Sequence, residues 1–133
     1  MQVFLLLGFI EDNYKMNSKK NVQHVYLVGA KSLGAYGGYE TFVYKLTEYH
    51  QNNENIKYHV ACKANGDGYM DESKFEGVTK LNSHEFEFHN AHCFKINVPQ
   101  IGPAQAIYYD VAALKRCCEH IRKNHISHPI VYI

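Results

Sequence analysis

The sequence predicts an α/β fold, namely a Rossmann-like, open and mostly parallel sheet with helices on both faces. Three observations support this class. A β-branched apolar run at 25–28 is followed by glycines and then by apolar residues at helical spacing. An alternating run at 56–62 and an apolar run at 129–133 predict further strands. A second helical pattern precedes the last run, and strands that alternate with helices form parallel sheets.

Composition indicates one globular domain without a strong net charge. The 133 residues suffice for a single hydrophobic core. A formal net charge of +1 gives no field that attracts nucleic acid, so no nucleic-acid partner is expected. The four cysteines lack the spacing of a disulfide framework, which favours a reducing, cytoplasmic location. They are Cys62, Cys93, Cys117 and Cys118.

Residues 1–21 are predicted to be an N-terminal appendage, and residues 22–133 the domain itself. The apolar run at 3–10 is too short to span a bilayer. No basic residue precedes it and no small-residue cleavage site follows it, which argues against a secretory signal. A poorly packed tail is the preferred interpretation, and a membrane-surface anchor and an edge strand are the alternatives.

The first strand, the glycine loop and the helix after it predict a ligand site. The helix is expected at about Tyr39–Asn52. Amide groups at a helix start have no partner within the helix and carry partial positive charge. Glycines allow a ligand to approach the backbone, so an anion or a polyol is expected there. The helix is predicted to bury one apolar face formed by Tyr39, Phe42, Val43, Leu46 and Tyr49.

The glycine spacing does not identify the ligand, but it excludes two familiar types of nucleotide-binding loop. Gly29 and Gly34 lie five residues apart, which does not fit the dinucleotide fingerprint, and no Lys-Ser or Lys-Thr pair completes a P-loop. Glu40 in the first helical turn complements the helix dipole without any ligand. Glycines that only turn the chain are therefore an alternative.

A second strand at 56–62 leads into the loop Asn65–Gly68. This loop lies at the edge where open α/β sheets usually bind ligands. Lys63 and Asn65 are therefore weak candidates for contact with an acceptor, and solvated loop residues are the alternative. Residues 69–83 show no clear pattern and are expected to be irregular.

A hairpin is predicted next, with strands Glu85–His89 and His92–Pro99 joined at Asn90–Ala91. Several residues of metal-binding type lie in this segment. Their spacing matches no familiar zinc site, and no second cysteine pair completes tetrahedral ligation, so no metal is expected. These residues are His84, His89, His92 and Cys93.

A second helix is predicted after the loop Gln100–Pro103, with Pro103 in its first turn. Asp110 lies beside the apolar stripe of this helix and is interpreted as a surface carboxylate, with catalysis as the alternative. The distal end of the helix is basic, which suits the helix dipole and leaves peripheral contact with anionic lipid open. The stripe predicted to cover the sheet comprises Ala104, Ile107, Val111, Leu114, Cys118 and Ile121.

Two blocks of the sequence carry a family resemblance. The first is Gly29-Ala-Lys31 followed by Tyr36-Gly-Gly-Tyr-Glu-Thr-Phe-Val-Tyr-Lys-Leu46, and the second is Asn97–Val111. They resemble bacterial rhamnosyltransferases of glycosyltransferase family 4, in particular the β-1,4-rhamnosyltransferases of capsular polysaccharide synthesis. The resemblance covers roughly residues 24–133.

The resemblance implies the N-terminal, acceptor-side half of a GT-B glycosyltransferase, truncated at its C-terminus. The whole enzyme would transfer L-rhamnose from dTDP-rhamnose to a lipid-diphosphate-linked saccharide at the cytoplasmic membrane face, without a metal or another cofactor. The resemblance places most catalytic groups beyond residue 133, so the fragment alone is expected to be inactive. The binding residues that it implies are Lys31, Tyr36, Gly37, Gly38, Gln100 and Gly102.

Other function classes stay open beside this one. The main alternative is a non-catalytic nucleotide- or sugar-binding Rossmann-like module. A dinucleotide-dependent oxidoreductase half is disfavoured, because Lys63 stands where an acidic residue would bind the ribose. A purely structural α/β domain is the third alternative.

Overall fold

The computed structural model describes residues 4–6, 21–34 and 37–133. Its main body is a mixed sheet with two helices packed against it. The first elements are β1 (Phe4–Leu6), β2 (Gln23–Leu27), α1 (Gly38–Tyr49) and β3 (Ile56–Lys63). The later elements are β4 (Thr79–Lys80), β5 (Glu85–Phe88), β6 (Ala91–Ile96), α2 (Gln105–Lys123) and β7 (Ile130–Tyr132).

The strands lie in the order β1-β7-β2-β3-β6-β5-β4. The central strands β7, β2, β3 and β6 are parallel to one another, and antiparallel pairs add β1 at one edge and β5 and β4 at the other. Tyr26 and Leu27 point to opposite faces and belong to the two separate cores that lie under α2 and α1. The predicted Rossmann-like α/β class, with an open, mostly parallel sheet and helices on both faces, is therefore confirmed.

The hairpin of β5 and β6 is confirmed, although its turn lies one residue earlier than predicted. His89 and Asn90 have φ of 53° and 59°, as the central residues of a type I′ turn do. Ala91 therefore already belongs to β6. The segment 69–83, predicted to be irregular, contains β4 and a 3₁₀ turn that Asp71 caps by accepting the Ser73 N–H.

The predicted appendage is described only in part. Phe4–Leu6 form the edge strand β1, which pairs antiparallel with β7. Residues 1–3 and 7–20 lie outside the described residues, so the preferred interpretation of 1–21 as a loosely packed tail stays a prediction. Neither helix in the described part of the chain is long and apolar enough to cross a membrane.

Helix α1 buries a narrower face than the sequence predicts. Val43 and Thr47 are its buried residues, and Tyr39 and Leu46 pack at the margin of the core. The prediction is wrong for Phe42 and Tyr49, which are 43% and 83% exposed. Tyr49 follows Val43 by six residues, which at 3.6 residues per turn places it about 120° away from the buried line.

The face of α2 that covers the sheet is also not the predicted one. Tyr109, Ala113 and Cys117 are its buried residues, and the small side chains at 113 and 117 let the helix approach the sheet closely. Leu114 and Ile121 are half-buried at the margin of this core. The predicted stripe is wrong for its other four members, which are exposed; they are Ala104, Ile107, Val111 and Cys118.

The hydroxyl of Tyr109 connects α2 to the loop after β2, because it donates to the Ala30 carbonyl at 2.5 Å. Replacement by phenylalanine leaves this carbonyl without its partner in a buried position. We expect Tyr109→Phe to lower the free energy of unfolding by about 1–2 kcal/mol, measured by urea denaturation. The neighbouring Tyr108 is 45% exposed, so Tyr108→Phe serves as a control with a change within about 0.5 kcal/mol. Equal effects of the two substitutions would contradict this role.

Candidate functional site

The loops after the parallel strands β2, β3 and β6 meet the start of α2 at the carboxyl edge of the sheet. A cavity of about 330 Å³ lies between them, which we call the carboxyl-edge cavity. Open α/β sheets usually bind their ligands at this edge. The residues that line it include Gly29, Lys31, Lys63, Asp67, Gly102 and Asp110.

Two lysines bring positive charge to the carboxyl-edge cavity. The Nζ of Lys31 lies 3.0 Å from Oδ2 of Asp67, and the Nζ of Lys63 donates to the Asp67 carbonyl at 2.8 Å. The hydrogen bond from Lys31 lowers the pKa of Asp67 below its ordinary value, so this carboxylate stays charged. Lys63 is buried, whereas the Lys31 side chain is half exposed, so its ion pair with Asp67 is open to solvent.

Asp110 adds a carboxylate on the α2 side of the carboxyl-edge cavity. Burial raises the pKa of this half-buried group above its ordinary value. Within the described residues, no hydrogen bond or ion pair holds its side chain. Asp110 is therefore not a fully exposed surface carboxylate, because it lines a cavity that is open to a ligand.

Comparison with known protein families gives a match over most of the chain. Residues 22–133 match a family described as Domain of unknown function (DUF1972). The chain belongs to the DUF1972 family. The DUF1972 match covers the same residues as the domain predicted from the sequence. No curated protein and no solved structure matches the chain.

The predicted binding residues occupy different places in the DUF1972 domain. Lys31 and Gly102 lie together in the lining of the carboxyl-edge cavity. Gly37, Gly38 and Gln100 are not among its lining residues. Tyr36 lies outside the described residues, so its predicted role is untested.

The glycine pair forms the start of α1, as predicted. Gly37 is the N-cap residue, and its φ of 121° is one that residues with a side chain rarely adopt. The Glu40 carboxylate folds back against Gly37, and its Oε2 accepts the Lys31 N–H at 3.0 Å. The chain thus places its own carboxylate at the position where an anionic ligand was expected.

Asn65 and Gln100 hold the loops together rather than lining the carboxyl-edge cavity. The Asn65 side chain accepts the Val98 N–H at 2.8 Å and donates to the Val98 carbonyl at 2.9 Å. Gln100 donates to the same carbonyl at 3.0 Å and packs against Gly66. Both amides therefore fix the loop after β6 against the loop after β3.

Sequence reasoning missed Asp67 as a partner of Lys31 and Gln105 as a lining residue. The loop that contains Asp67 was predicted at the correct edge of the sheet. That position could have identified Asp67 as a candidate, because open α/β sheets bind ligands there. Gln105 opens α2, so its position depends on where that helix begins.

The residues considered as metal ligands from the sequence are dispersed. The His84 ring lies beside Asn97, with 3.0 Å between Nε2 and Nδ2, and His89 bonds with Thr47, with 3.0 Å between Nδ1 and Oγ1. Cys93 is buried in the core under α1. Only His92 lies near other histidines, and these come from distant parts of the sequence.

Proposed function

We propose that this DUF1972 domain is the acceptor-side half of a glycosyltransferase. The complete enzyme would transfer L-rhamnose from dTDP-rhamnose to a lipid-diphosphate-linked saccharide in surface polysaccharide synthesis. The observation that carries this proposal is the carboxyl-edge cavity, where both blocks of the rhamnosyltransferase resemblance come together. The first block contributes Gly29 and Lys31, and the second contributes Gly102 and Asp110.

The charges of the carboxyl-edge cavity suit a diphosphate and a polyol. Lys31 can leave its exposed ion pair with Asp67 at little cost, because exposed pairs contribute only about 0–1 kcal/mol. Its ammonium would then meet the negative charge that builds on the departing dTDP. Lys63 supplies a second, fixed positive charge. No metal ion is needed if these groups neutralise the diphosphate.

Asp110 is suited to act as the general base. In this step the acceptor hydroxyl gives its proton to the Asp110 carboxylate while its oxygen forms a bond to the anomeric carbon of rhamnose. The bond between that carbon and the diphosphate oxygen breaks, and dTDP leaves with the electron pair. A carboxylate without an ion-pair partner among the described residues is well placed to accept this proton.

Ligand titration tests where the domain binds. We expect dTDP-rhamnose, or a water-soluble lipid-diphosphate-linked saccharide, to shift the backbone amide resonances of Gly29, Lys31 and Gly102 in the ¹⁵N-labelled chain. Lys31→Ala removes a charge-assisted contact and should weaken binding of the diphosphate ligand about tenfold. Shifts confined to other surfaces, or unchanged affinity of Lys31→Ala, would contradict the proposed site.

Lys45→Ala is the matched control for this titration. Lys45 lies on α1 and its side chain is 69% exposed, with its Nζ 3.6 Å from a Glu48 carboxylate oxygen and 5.9 Å from the centre of the Tyr44 ring. Its removal should leave the affinity unchanged.

A sugar-binding module without catalysis is the second candidate. It is favoured by one observation, namely that the Lys31 ammonium already pairs with Asp67 and the Lys31 backbone N–H already donates to Glu40. Such a site suits a neutral saccharide better than a diphosphate. Saccharide binding without any turnover by the full-length gene product would support this candidate over the transferase.

A further inference from the structure

A second cavity, of about 400 Å³, lies on the α2 face of the sheet, and we call it the histidine cavity. Tyr26, His59 and His92 are cross-strand neighbours on β2, β3 and β6, so their side chains share this face. His120 reaches the same place from α2, with its ring centroid 4.6 Å from that of His59. His24, near the start of β2, completes a group of four histidines.

We propose that His59, His92 and His120 bind a transition-metal ion, with Zn²⁺ as the expected ion. One ring nitrogen from each of the three lies within 4.8 Å of the others. The Nδ1 atoms of His59 and His92 are already 2.9 Å apart. Tetrahedral zinc with Zn–N bonds of about 2.0–2.1 Å sets its ligand nitrogens about 3.3 Å apart, so small side-chain rotations complete the site.

Each of the three imidazoles has a separate partner on its other ring nitrogen. Nε2 of His59 lies 2.8 Å from Nδ1 of His24. Nε2 of His92 lies 2.7 Å from a Glu85 carboxylate oxygen, and Nδ1 of His120 lies 2.7 Å from the Tyr26 hydroxyl. Metal-binding histidines characteristically have such partners, which fix the ring orientation. The nitrogens that remain to bind the metal are Nδ1 of His59, Nδ1 of His92 and Nε2 of His120.

The charges around the histidine cavity allow a divalent cation. Lys57 lines the cavity, but its Nζ is held by Glu87 at 3.1 Å and by the Asn90 carbonyl at 2.9 Å. Glu85 supplies a negative charge next to His92, since one of its carboxylate oxygens lies 2.7 Å from Nε2 of His92. Its other carboxylate oxygen lies 3.8 Å from the Arg116 guanidinium. Metal binding requires both facing nitrogens, Nδ1 of His59 and Nδ1 of His92, to be free of a proton. A proton carried on Nδ1 of a neutral His59 moves to its Nε2, which then donates to Nδ1 of His24, whereas a proton carried by a charged His92 is released to solvent.

The fourth ligand position would face the histidine cavity and take a water molecule. Three protein ligands with one exchangeable position are typical of zinc sites that bind or activate a small molecule. This site is separate from the carboxyl-edge cavity, since His24 and His92 lie near the amino ends of their strands. The proposal therefore does not depend on the glycosyltransferase function.

Titration with zinc alone, in competition with a chelating dye, tests the site in the complete 133-residue chain. We expect a dissociation constant of about 1 μM or lower for Zn²⁺. His120→Gln removes a ligand from the half-buried surface of α2 and should weaken binding at least about 100-fold. Glu85→Gln keeps all three ligands but loses the carboxylate partner of His92, and should weaken binding about 10–100-fold.

His125→Gln is the matched control, because His125 is an exposed histidine just beyond the end of α2 and should not affect affinity. Circular dichroism verifies that each variant is folded. Co²⁺ bound to the unmodified chain should show the visible bands of a tetrahedral nitrogen site, which tests the proposal without any substitution. Equal zinc affinity of His120→Gln and the unmodified chain would overturn the proposal. A sulfur-to-cobalt charge-transfer band, indicating cysteine ligands, would overturn it as well.

Discussion

Ala113→Asp is expected to unfold the DUF1972 domain. Ala113 is fully buried between α2 and the sheet, in a core formed by apolar side chains. A carboxylate placed there loses its hydration among apolar side chains, so the free energy of unfolding should fall by at least about 4 kcal/mol. Domains of this kind are stable by only about 5–15 kcal/mol. Far-ultraviolet circular dichroism and urea denaturation measure the loss.

Val111→Asp is the matched control, since it introduces the same side chain two residues earlier in the same helix. Val111 is 61% exposed, so the change in stability should stay within about 0.5 kcal/mol. An unfolded Val111→Asp protein beside a folded Ala113→Asp protein would mean that the stripe predicted from the sequence covers the sheet after all.

For the glycosyltransferase proposed above, Asp110→Asn is expected to reduce turnover by the complete enzyme at least about 100-fold, because general-base catalysis contributes about 10²–10⁴-fold. Transfer of rhamnose from dTDP-rhamnose to a lipid-diphosphate-linked saccharide measures it. The loss should fall on kcat with little change in KM, since the amide keeps the shape of the side chain. Burial raises the pKa of Asp110. The proposed base accepts a proton only when it is deprotonated. As the pH is lowered, activity should therefore begin to fall at a pH higher than the ordinary pKa of aspartate.

Glu119→Gln is the control for this substitution, because it removes an exposed carboxylate from the distal end of the same helix. Its turnover and thermal stability should match those of the unmodified protein. If Asp110→Asn retained full turnover, the acceptor proton would have to go to another group, and the role given to Asp110 would be wrong.

Local sequence patterns predicted most of the fold correctly. Three local patterns predicted β2 and α1: the apolar run at 25–28, the glycines after it and the helical spacing from Tyr39. Each involves residues that are close in sequence, and α1 begins at Gly38. The hairpin was predicted for the same reason, with an error of one residue at its turn. Patterns of this kind succeed where one segment determines its own conformation.

The covering face of α2 could not be read from spacing alone. Two sets of residues satisfy helical periodicity, one containing Ile107 and Val111 and one containing Tyr109 and Ala113. The choice depends on how closely the helix approaches the sheet, and small residues there allow the close approach. The wrong face carries more large aliphatic side chains, whereas the face that packs on the sheet contains the small residues Ala113 and Cys117.

The candidate sites depend still more on tertiary contacts. Lys31 was predicted from a family resemblance, but its partner Asp67 is brought to it by the parallel pairing of β2 and β3. The histidine cavity was missed because its members come from three strands and a helix. Short spacings in the sequence bring together only the residues of the hairpin segment, for which no metal was expected, and of these His92 alone belongs to the cluster.

The position of β7 between β1 and β2 has a consequence for how the chain is made. The ladder that joins Val25 to Ile130 links segments more than a hundred residues apart. During synthesis on the ribosome, β2 emerges early, and the backbone groups on its edge toward β7 stay unpaired until β7 has been synthesised. Long-range pairing of this kind slows folding and exposes strand edges to aggregation. The nascent domain is therefore expected to depend on chaperones until β7 is released from the exit tunnel.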